Sequence, residues 1–395
     1  MRRITTLAVV VVTVLSVVIT GVVSAASKKA VNMNIDQKES SAAVAASKGT
    51  RNLEKALEEA GNNRCQLEAA LKAVNPKHRK AMEFLIVNMA KDDLVSLKKD
   101  YLVDDVEYAY KARKTMPWGK DVPEDLFLND VLPYSNLTER RDNWRKDFYD
   151  RFSVMVKDCK TMEDAVQKLN VEVFKTFNVQ YHATKCRKPN QSPYESIEIG
   201  YASCSSLSIL ITDACRAVGI PSRVVGVLCW DGKPENHCWS EVWTHEWRYI
   251  GAGEPNNLDT AWFTDRVSKI DPTKPEYAVF AISFKRTDTC FPPAWRYSVR
   301  DVYAENVTDF YIHRRSVKFD LVNGDGKSFK AKVALKLGGK TVAQDTVDGS
   351  RDFIIAGGQT YDAEITDPKT SETVTKKVTV PNKDNETVYL SLWRG

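Results

Sequence analysis

The stretch that most constrains the fold is "YASCSSLSILITDACRAVGIPSRVVG", residues 201–226 of a chain of 395 residues. Its apolar residues keep helical spacing from Leu207 to Val218, which predicts a helix with one buried face. Gly219 and Pro221 are typical stop signals for such a helix, and the valines that follow predict a strand. The stretch therefore predicts a helix that is joined to a strand by a short turn.

A cysteine lies at the predicted start of this helix. Ser203 is a natural N-cap residue, and it places Cys204 in the first turn. The unpaired N–H groups and the positive end of a helix dipole favour a thiolate there, and the N–H of such a cysteine can point at a developing oxyanion. Cys204 is therefore the candidate nucleophile. Cys215, three turns later, is expected to be a small buried residue or half of a disulfide.

The candidate for the base is one of five histidines. His237 opens "HCWSEVW", whose period of two predicts a strand with His237, Trp239 and Glu241 on one face. This strand is expected to form a hairpin with "SRVVGVLCW". The pattern alone also fits a structural histidine that bonds to a neighbouring hydroxyl. The other histidines are expected at the surface or, for the last of them, in the turn after this strand: His78, His182, His313 and His245.

Several neighbours of His237 are expected to have structural roles. Glu241 lies four residues along the strand, about 13 Å away at about 3.3 Å per residue, which suits support rather than contact. His237 and Cys238 point to opposite faces, and no C-x-x-C occurs, so we expect neither a metal nor a cofactor. Cys229 and Cys238 either form a disulfide or remain two thiols. Four tryptophans are expected in the core or a cleft wall: Trp239, Trp243, Trp247 and Trp262.

The order of these motifs resembles the transglutaminase-like superfamily. A cysteine at a helix start is followed by "ACRAVGIPSRVVG", by a hairpin into "NHCWSEVW" and by "WRYI". The resemblance is closest over residues 200–250, and it implies a papain-like core at 166–312 with a Cys-His-Asp triad in this chain order. It implies that Cys204 attacks a carboxamide or peptide carbonyl, while His237 takes and returns the proton.

The third member of the triad departs from the family pattern. The aspartate of the family usually stands four residues after the tryptophan of the last core strand, and that position after Trp247 is Gly251. Triads are recognised by geometry, and Glu254 has one more methylene with which to reach back. Glu254 is therefore the preferred candidate, with Asp259 or a missing orienting group as open alternatives. Three residues are candidates for an oxyanion donor: Asn170, Asn178 and Tyr181.

The rest of the chain predicts an α+β protein in several parts: a signal peptide at 1–26, a linker at 27–48, a helical region at 49–165, the transglutaminase-like core and a small all-β sandwich at 316–395. Amphipathic helices are expected to break near Gly61 and Pro76. The acidic pairs at 92–93 and 104–105 are expected to be solvated charges at helix ends. The sandwich is predicted from alternating runs around glycine turns, and a spacer is favoured over a ligand-binding module.

The N-terminus predicts export from the cytoplasm. Arg2 and Arg3 precede an apolar run from Leu7 to Val23 and a small-residue cleavage pattern, which is typical of a secretory signal. An uncleaved anchor is the alternative, and it would be the only membrane contact. With 57 basic and 52 acidic residues the net charge is +5, so we expect no nucleic-acid partner. The protein is therefore predicted to be secreted or periplasmic.

These patterns predict a cysteine hydrolase. A thioester on Cys204 that is resolved by water would make the protein a peptidase or amidase. The expected partner is a peptide or protein substrate, such as one at the cell surface. A non-catalytic binding or surface-scaffold protein that retains the fold is the alternative, because Gly251 replaces the expected aspartate. A cross-linking transglutaminase is the second alternative, although no calcium loop of the D-x-[DN]-x-[DN]-G kind is present.

Overall fold

Residues 51–230, 235–292 and 301–391 are described by the computed structural model. They belong to one compact unit that extends over Gly49–Gly395. The predicted signal peptide and the predicted linker lie outside the described residues. Within the described ranges, none of the helices is long and apolar enough to span a membrane.

The N-terminal part is helical, and its helices break where the sequence predicts. Asn52 caps the first helix by accepting a hydrogen bond from Lys55 N, and 3₁₀ turns at Gly61–Asn63 and Pro76–His78 separate the first three helices. A turn at Glu124–Leu126 continues into a π-helical turn at Phe127–Val131. The helices are α1 Leu53–Glu59, α2 Arg64–Ala73, α3 Arg79–Asn88, α4 Lys91–Ser96, α5 Lys99–Thr115 and α6 Arg145–Val156.

One residue of each acidic pair in this part is buried, so the expectation of solvated charges is wrong for Asp93 and Asp105. Asp93 is 5% exposed and accepts hydrogen bonds from Tyr134 and Arg141. Asp105 is 3% exposed and accepts one from Arg145. Their partners lie about 40 residues further along the chain, and local spacing does not reveal such pairs.

The middle part packs helices against an antiparallel sheet with the order β5-β4-β3-β6-β7. The predicted helix and hairpin are α9, β3 and β4, and a small parallel pair, β1 with β2, precedes α9. This arrangement confirms the mixed fold class. The elements are α7 Met162–Phe177, β1 Gln180–Tyr181, α8 Pro193–Ile199, β2 Tyr201–Ala202, α9 Cys204–Ala217, β3 Ser222–Val227, β4 His237–Trp243, β5 Trp247–Ile250, α10 Thr264–Val267, a 3₁₀ turn at Pro275–Tyr277, β6 Phe280–Ser283, β7 Tyr303–Asn306 and α11 Thr308–Ile312.

The two faces of β4 have different neighbours. On one face Ser240 donates a hydrogen bond to Ser208 O at 3.2 Å and contacts the Thr212 hydroxyl at 3.1 Å, so α9 lies along this face. Cys238 is buried on the same face beside Ile209. On the other face Trp239 belongs to a cluster of aromatic and aliphatic side chains. The start of α9 and the start of β4 therefore lie at the same end of this helix–strand pair.

The C-terminal part is a sandwich of two sheets, as the sequence predicts. One sheet has the order β10-β9-β12-β13, and the other has the order β11-β8-β14, in which β14 runs parallel to β8. Their inner faces share one apolar core, in which the ring centroids of Phe319 and Phe353 lie 5.5 Å apart. The strands are β8 Arg314–Leu321, β9 Lys330–Leu337, β10 Lys340–Asp348, β11 Ser350–Ala356, β12 Thr360–Thr366, β13 Thr373–Thr379 and β14 Glu386–Leu390.

The sandwich contacts the turn between β4 and β5. Gln344 N donates to His245 O at 2.7 Å, and a β-bridge joins Glu246 to Ala343. Arg351 lies 3.3 Å from the Glu246 carboxylate. Main-chain and charged contacts therefore attach the sandwich to the core sheet.

Candidate active site

Cys204 is the first residue of α9, as the sequence predicts. The Ser203 hydroxyl caps the helix by accepting a hydrogen bond from Ser206 N at 3.2 Å, and it donates one to Pro189 O at 2.7 Å. The first intrahelical bond to the cap runs from Leu207 N to Ser203 O. The N–H of Cys204 therefore has no acceptor within the helix and points to the helix N-terminal end.

The partly buried Cys204 thiol has neighbours on two strands. β1 pairs with β2 so that Tyr181 lies beside Ala202, and the Tyr181 side chain is 61% exposed. Cys238 on β4 is a buried free thiol, and its pKa is raised by burial and further by Cys204. The bridge from Cys238 to Cys229 is therefore not formed. Cys215 is the small buried residue that was expected, and burial raises its pKa to about 12.

The His237 imidazole lies among four aromatic rings. Its centroid is 4.8 Å from that of Trp262, 5.2 Å from Phe263, 5.9 Å from Trp239 and 6.3 Å from Trp230. Burial, and to a smaller extent the nearby Arg266, lower the pKa of His237 to about 4. The ring is therefore neutral near pH 7, which is the form that accepts a proton.

Gly251 and Glu254 together occupy the position of the family aspartate. Ser240 pairs with Ile250, so Gly251 follows β5 beside Trp239, on the face of β4 that carries His237. A Cβ atom added to Gly251 would collide with the Cδ and Oε1 atoms of Glu254. The Glu254 carboxylate thus fills the space that a side chain at position 251 would take.

The two oxygens of the Glu254 carboxylate differ in their hydrogen bonds. Glu254 Oε2 accepts hydrogen bonds from Trp262 N at 3.3 Å and from the Asn256 amide at 3.2 Å. Oε1 accepts none from the part of the chain that the structure describes. Burial raises the pKa of this half-buried carboxyl group, and the bond from Trp262 N opposes the shift.

Asp259 has partners of a different kind. Its carboxylate lies beside Arg248 and Arg314, and it accepts a hydrogen bond from Tyr249 N at 3.1 Å. Arg314 is the first residue of β8, so Asp259 joins the core to the sandwich. The Asp259 carboxylate is thus bound to two arginines, whereas the Glu254 carboxylate is bonded to Trp262 N, and the Trp262 ring lies beside His237.

The structure does not complete the chain of hydrogen bonds that a triad would have. Among the described residues, neither ring nitrogen of His237 has a hydrogen-bond partner, so no such bond joins it to Cys204 or to Glu254. The fold nevertheless brings the three groups to the end of the sheet where β4 begins and β5 ends. Within the same ranges no three His, Cys, Asp or Glu side chains are grouped as a metal site requires.

The three candidates for an oxyanion donor have different positions. The Asn170 amide is bound to the loop after β5, where it donates to Gly251 O at 3.0 Å and to Glu254 O at 2.7 Å. Asn178 ends α7 in the left-handed conformation, with φ of 52°. Tyr181 is exposed beside Ala202. The Asn170 side chain is therefore occupied by a contact that the sequence did not predict.

A buried network behind His237 was found only in part from the sequence. Trp239 Nε1 donates to the Tyr311 hydroxyl at 2.7 Å, which donates to Glu241 Oε1 at 2.7 Å, and Arg223 Nε donates to Glu241 Oε2 at 2.7 Å. The structure thus gives Glu241 contacts of the supporting kind that were predicted. Tyr311 was missed because it lies 70 residues after Glu241. Trp262 was placed only as core or cleft wall, and it is 55% exposed beside His237.

Comparison with known proteins identifies the core. Residues 151–252 match the family model of the transglutaminase-like superfamily, a range that includes Cys204, His237 and Gly251 and ends before Glu254. The chain therefore carries the transglutaminase-like core that its motifs predict.

The other comparisons add little. No curated protein matches the chain. A solved structure of a proposed cysteine protease from Cytophaga hutchinsonii is 19% identical with a TM-score of 0.28, over 38% of this chain and 50% of that one. This chain thus spans half of the length of the solved protein, and a TM-score of 0.28 supports no conclusion about this chain.

Proposed function

We propose that the protein is a cysteine hydrolase, a peptidase or amidase, in which Cys204 is the nucleophile, His237 the base and Glu254 the group that orients the imidazole. The observation that carries the proposal is the placement of Cys204 in the first turn of α9, at the end of the sheet where His237 opens β4. Catalytic hydrogen bonds are often long until substrate is bound. The missing bond between the two side chains is therefore compatible with this role.

The reaction would follow from the chemistry of these groups. The neutral His237 ring accepts the thiol proton while Cys204 Sγ bonds to the carbonyl carbon, and the N–H of Cys204 faces the oxyanion that forms. The proton then passes from His237 to the leaving amine as the C–N bond breaks, which leaves a thioester. Water gives a proton to His237 and attacks the thioester, and the proton returns to sulfur as the acid leaves.

The substrate and the compartment belong to the same proposal. A peptide or protein outside the cytoplasm, such as one on the cell surface, suits the secreted or periplasmic location that the N-terminal sequence predicts. We propose that the enzyme hydrolyses its substrate and does not cross-link it. Mass spectrometry of peptide and glutamine substrates separates the two, because water gives an acid and an amine acceptor gives an adduct.

The first test is the pH dependence of Cys204 alkylation by iodoacetamide, followed by peptide mass spectrometry. The exposed Cys65 serves as a reference thiol in the same sample. We expect the ratio of Cys204 to Cys65 labelling to be well above one at pH 6, and to fall about tenfold in His237→Ala. His78→Ala, in the helical part, is the matched control.

The opposite result would support a different class of protein. If Cys204 and Cys65 label with the same pH curve in the wild type and in His237→Ala, the thiol is not activated. The proposal is then abandoned in favour of a non-catalytic binding or scaffold protein with the same fold.

A further inference from the structure

The loop after β5 is a tight turn that folds Glu254 back over Gly251. Glu254 N donates to Gly251 O at 3.0 Å, and Gly253 lies between them with φ of +78°. A positive φ at the third position of such a turn favours glycine. A Cβ at Gly251 would meet the Glu254 carboxylate, so a side chain at position 251 would have to displace the end of the Glu254 side chain.

A side chain from another element holds this turn. Asn170 of α7 donates from Nδ2 to Gly251 O at 3.0 Å and to Glu254 O at 2.7 Å, and its Oδ1 accepts from Gly253 N at 2.9 Å. Asn170 is 2% exposed. An asparagine side chain offers two donors and an acceptor at fixed angles, and here one amide satisfies three main-chain groups of one turn.

We propose that Asn170 is a positioning residue that holds Glu254 where a side chain at position 251 would lie, an inference that rests on the proposed function. An aspartate at position 251 would be fixed directly by the sheet, since it would follow β5. A carboxylate three residues later belongs to a turn, and it needs a separate restraint to keep its place. Asn170 supplies that restraint, so Gly251, Glu254 and Asn170 act as one unit.

The test is whether Asn170 and Glu254 act through each other. Asn170→Asp keeps the shape and loses both donors, and we expect it to lower the ratio of Cys204 to Cys65 alkylation at pH 6 about tenfold, as Glu254→Gln does. The double variant should show no further loss. Asn88→Asp is the matched control, since Asn88 is also buried and bonded to main-chain groups, and it should leave the ratio unchanged.

A second background separates positioning from a general structural role. Gly251→Asp combined with Glu254→Ala places the carboxylate at position 251, directly after β5. We expect this variant to restore the ratio of Cys204 to Cys65 alkylation to within about threefold of wild type. In that background Asn170→Asp should no longer lower the ratio. Equal losses from Asn170→Asp whether or not Glu254 is present would overturn the inference.

The result also distinguishes this inference from the proposed function. If His237→Ala leaves the ratio unchanged, the proposed function fails. If His237→Ala and Glu254→Gln lower it while Asn170→Asp does not, only the inference fails. If Asn170→Asp does not fold, Glu254→Asp serves as the test. In a turn that Asn170 holds in place, the shorter acid cannot reach His237. A wild-type ratio of Cys204 to Cys65 alkylation in Glu254→Asp would therefore overturn the inference.

Discussion

At the scale of single residues, the environment of His237 sets the protonation state of the site. Its four aromatic neighbours exclude water from one side of the ring, and the charged imidazolium loses hydration there. Under the proposed function, the resting site would hold a neutral base. Proton transfer would then accompany the attack on the carbonyl.

This environment leads to a prediction about pH. Since the pKa of His237 is lowered to about 4, we expect Cys204 alkylation to lose its advantage over Cys65 only below about pH 5. Trp262→Ala admits water to the ring, and should move this acid limb upward by about one pH unit. NMR titration of the His237 ring measures the same pKa directly, and a value near 6.5 in the wild type would contradict the prediction.

The network behind His237 supports a prediction about stability. Tyr311→Phe removes the hydroxyl that bridges Trp239 and Glu241, and leaves two buried polar groups without that partner. We expect the free energy of unfolding in urea to fall by about 1–3 kcal/mol. Tyr389→Phe, at an exposed tyrosine, is the control and should change it by less than about 0.5 kcal/mol. Equal effects of the two variants would mean that the bridge adds no stability.

At the scale of elements, the start of α9 connects local capping with the proposed chemistry. Ser203→Ala removes the cap and the bond to Pro189 O, and should cost about 1 kcal/mol in the free energy of unfolding. It should also lower the ratio of Cys204 to Cys65 alkylation, because the first turn that orients the thiol frays. Asn52→Ala removes the cap of the remote α1 and should destabilise the protein without changing the ratio. A wild-type ratio of Cys204 to Cys65 alkylation in Ser203→Ala would show that the Ser203 cap does not affect the reactivity of Cys204.

Local patterns explain which elements could be predicted. The helix from Cys204, its stop at Gly219 and the strand from His237 each follow from spacing within about ten residues. The position of Glu254 could be suggested only from its length. Its actual place depends on Asn170, which is 84 residues away in the chain. The burial of Asp93 and Asp105 likewise depends on arginines from a later segment. Side-chain pairing over such separations has no periodic signal in one sequence.

At the scale of the whole molecule, a buried carboxyl group links stability to pH. Asp130 lies in the π-helical turn, and burial raises its pKa to about 7 against the opposing influence of Arg223 and Arg216. The native state therefore holds a proton that the unfolded chain releases near pH 4. Its stabilising contribution is complete below about pH 4 and is lost as the pH rises through about 7.

Asp130→Asn tests this linkage. Between about pH 4 and pH 7, the wild-type free energy of unfolding should fall relative to that of the variant by roughly 1.4 kcal/mol per pH unit at most. Urea unfolding at several pH values measures the difference. Parallel curves for the two proteins would show that Asp130 does not titrate in this range.

Some residues that hold the site loop lie late in the chain, so they are synthesised well after Cys204. The loop that carries Glu254 is held on one side by Asn170 and on the other by Asp259, which lies beside Arg314. The turn after β4 is paired with Gln344. A ribosome adds roughly 5–20 residues per second, so Cys204 emerges seconds before these last partners. Under the proposed function, the nascent chain would thus carry its nucleophile while the loop that serves it is still incompletely restrained, and full reactivity would come only as the C-terminal strands are made.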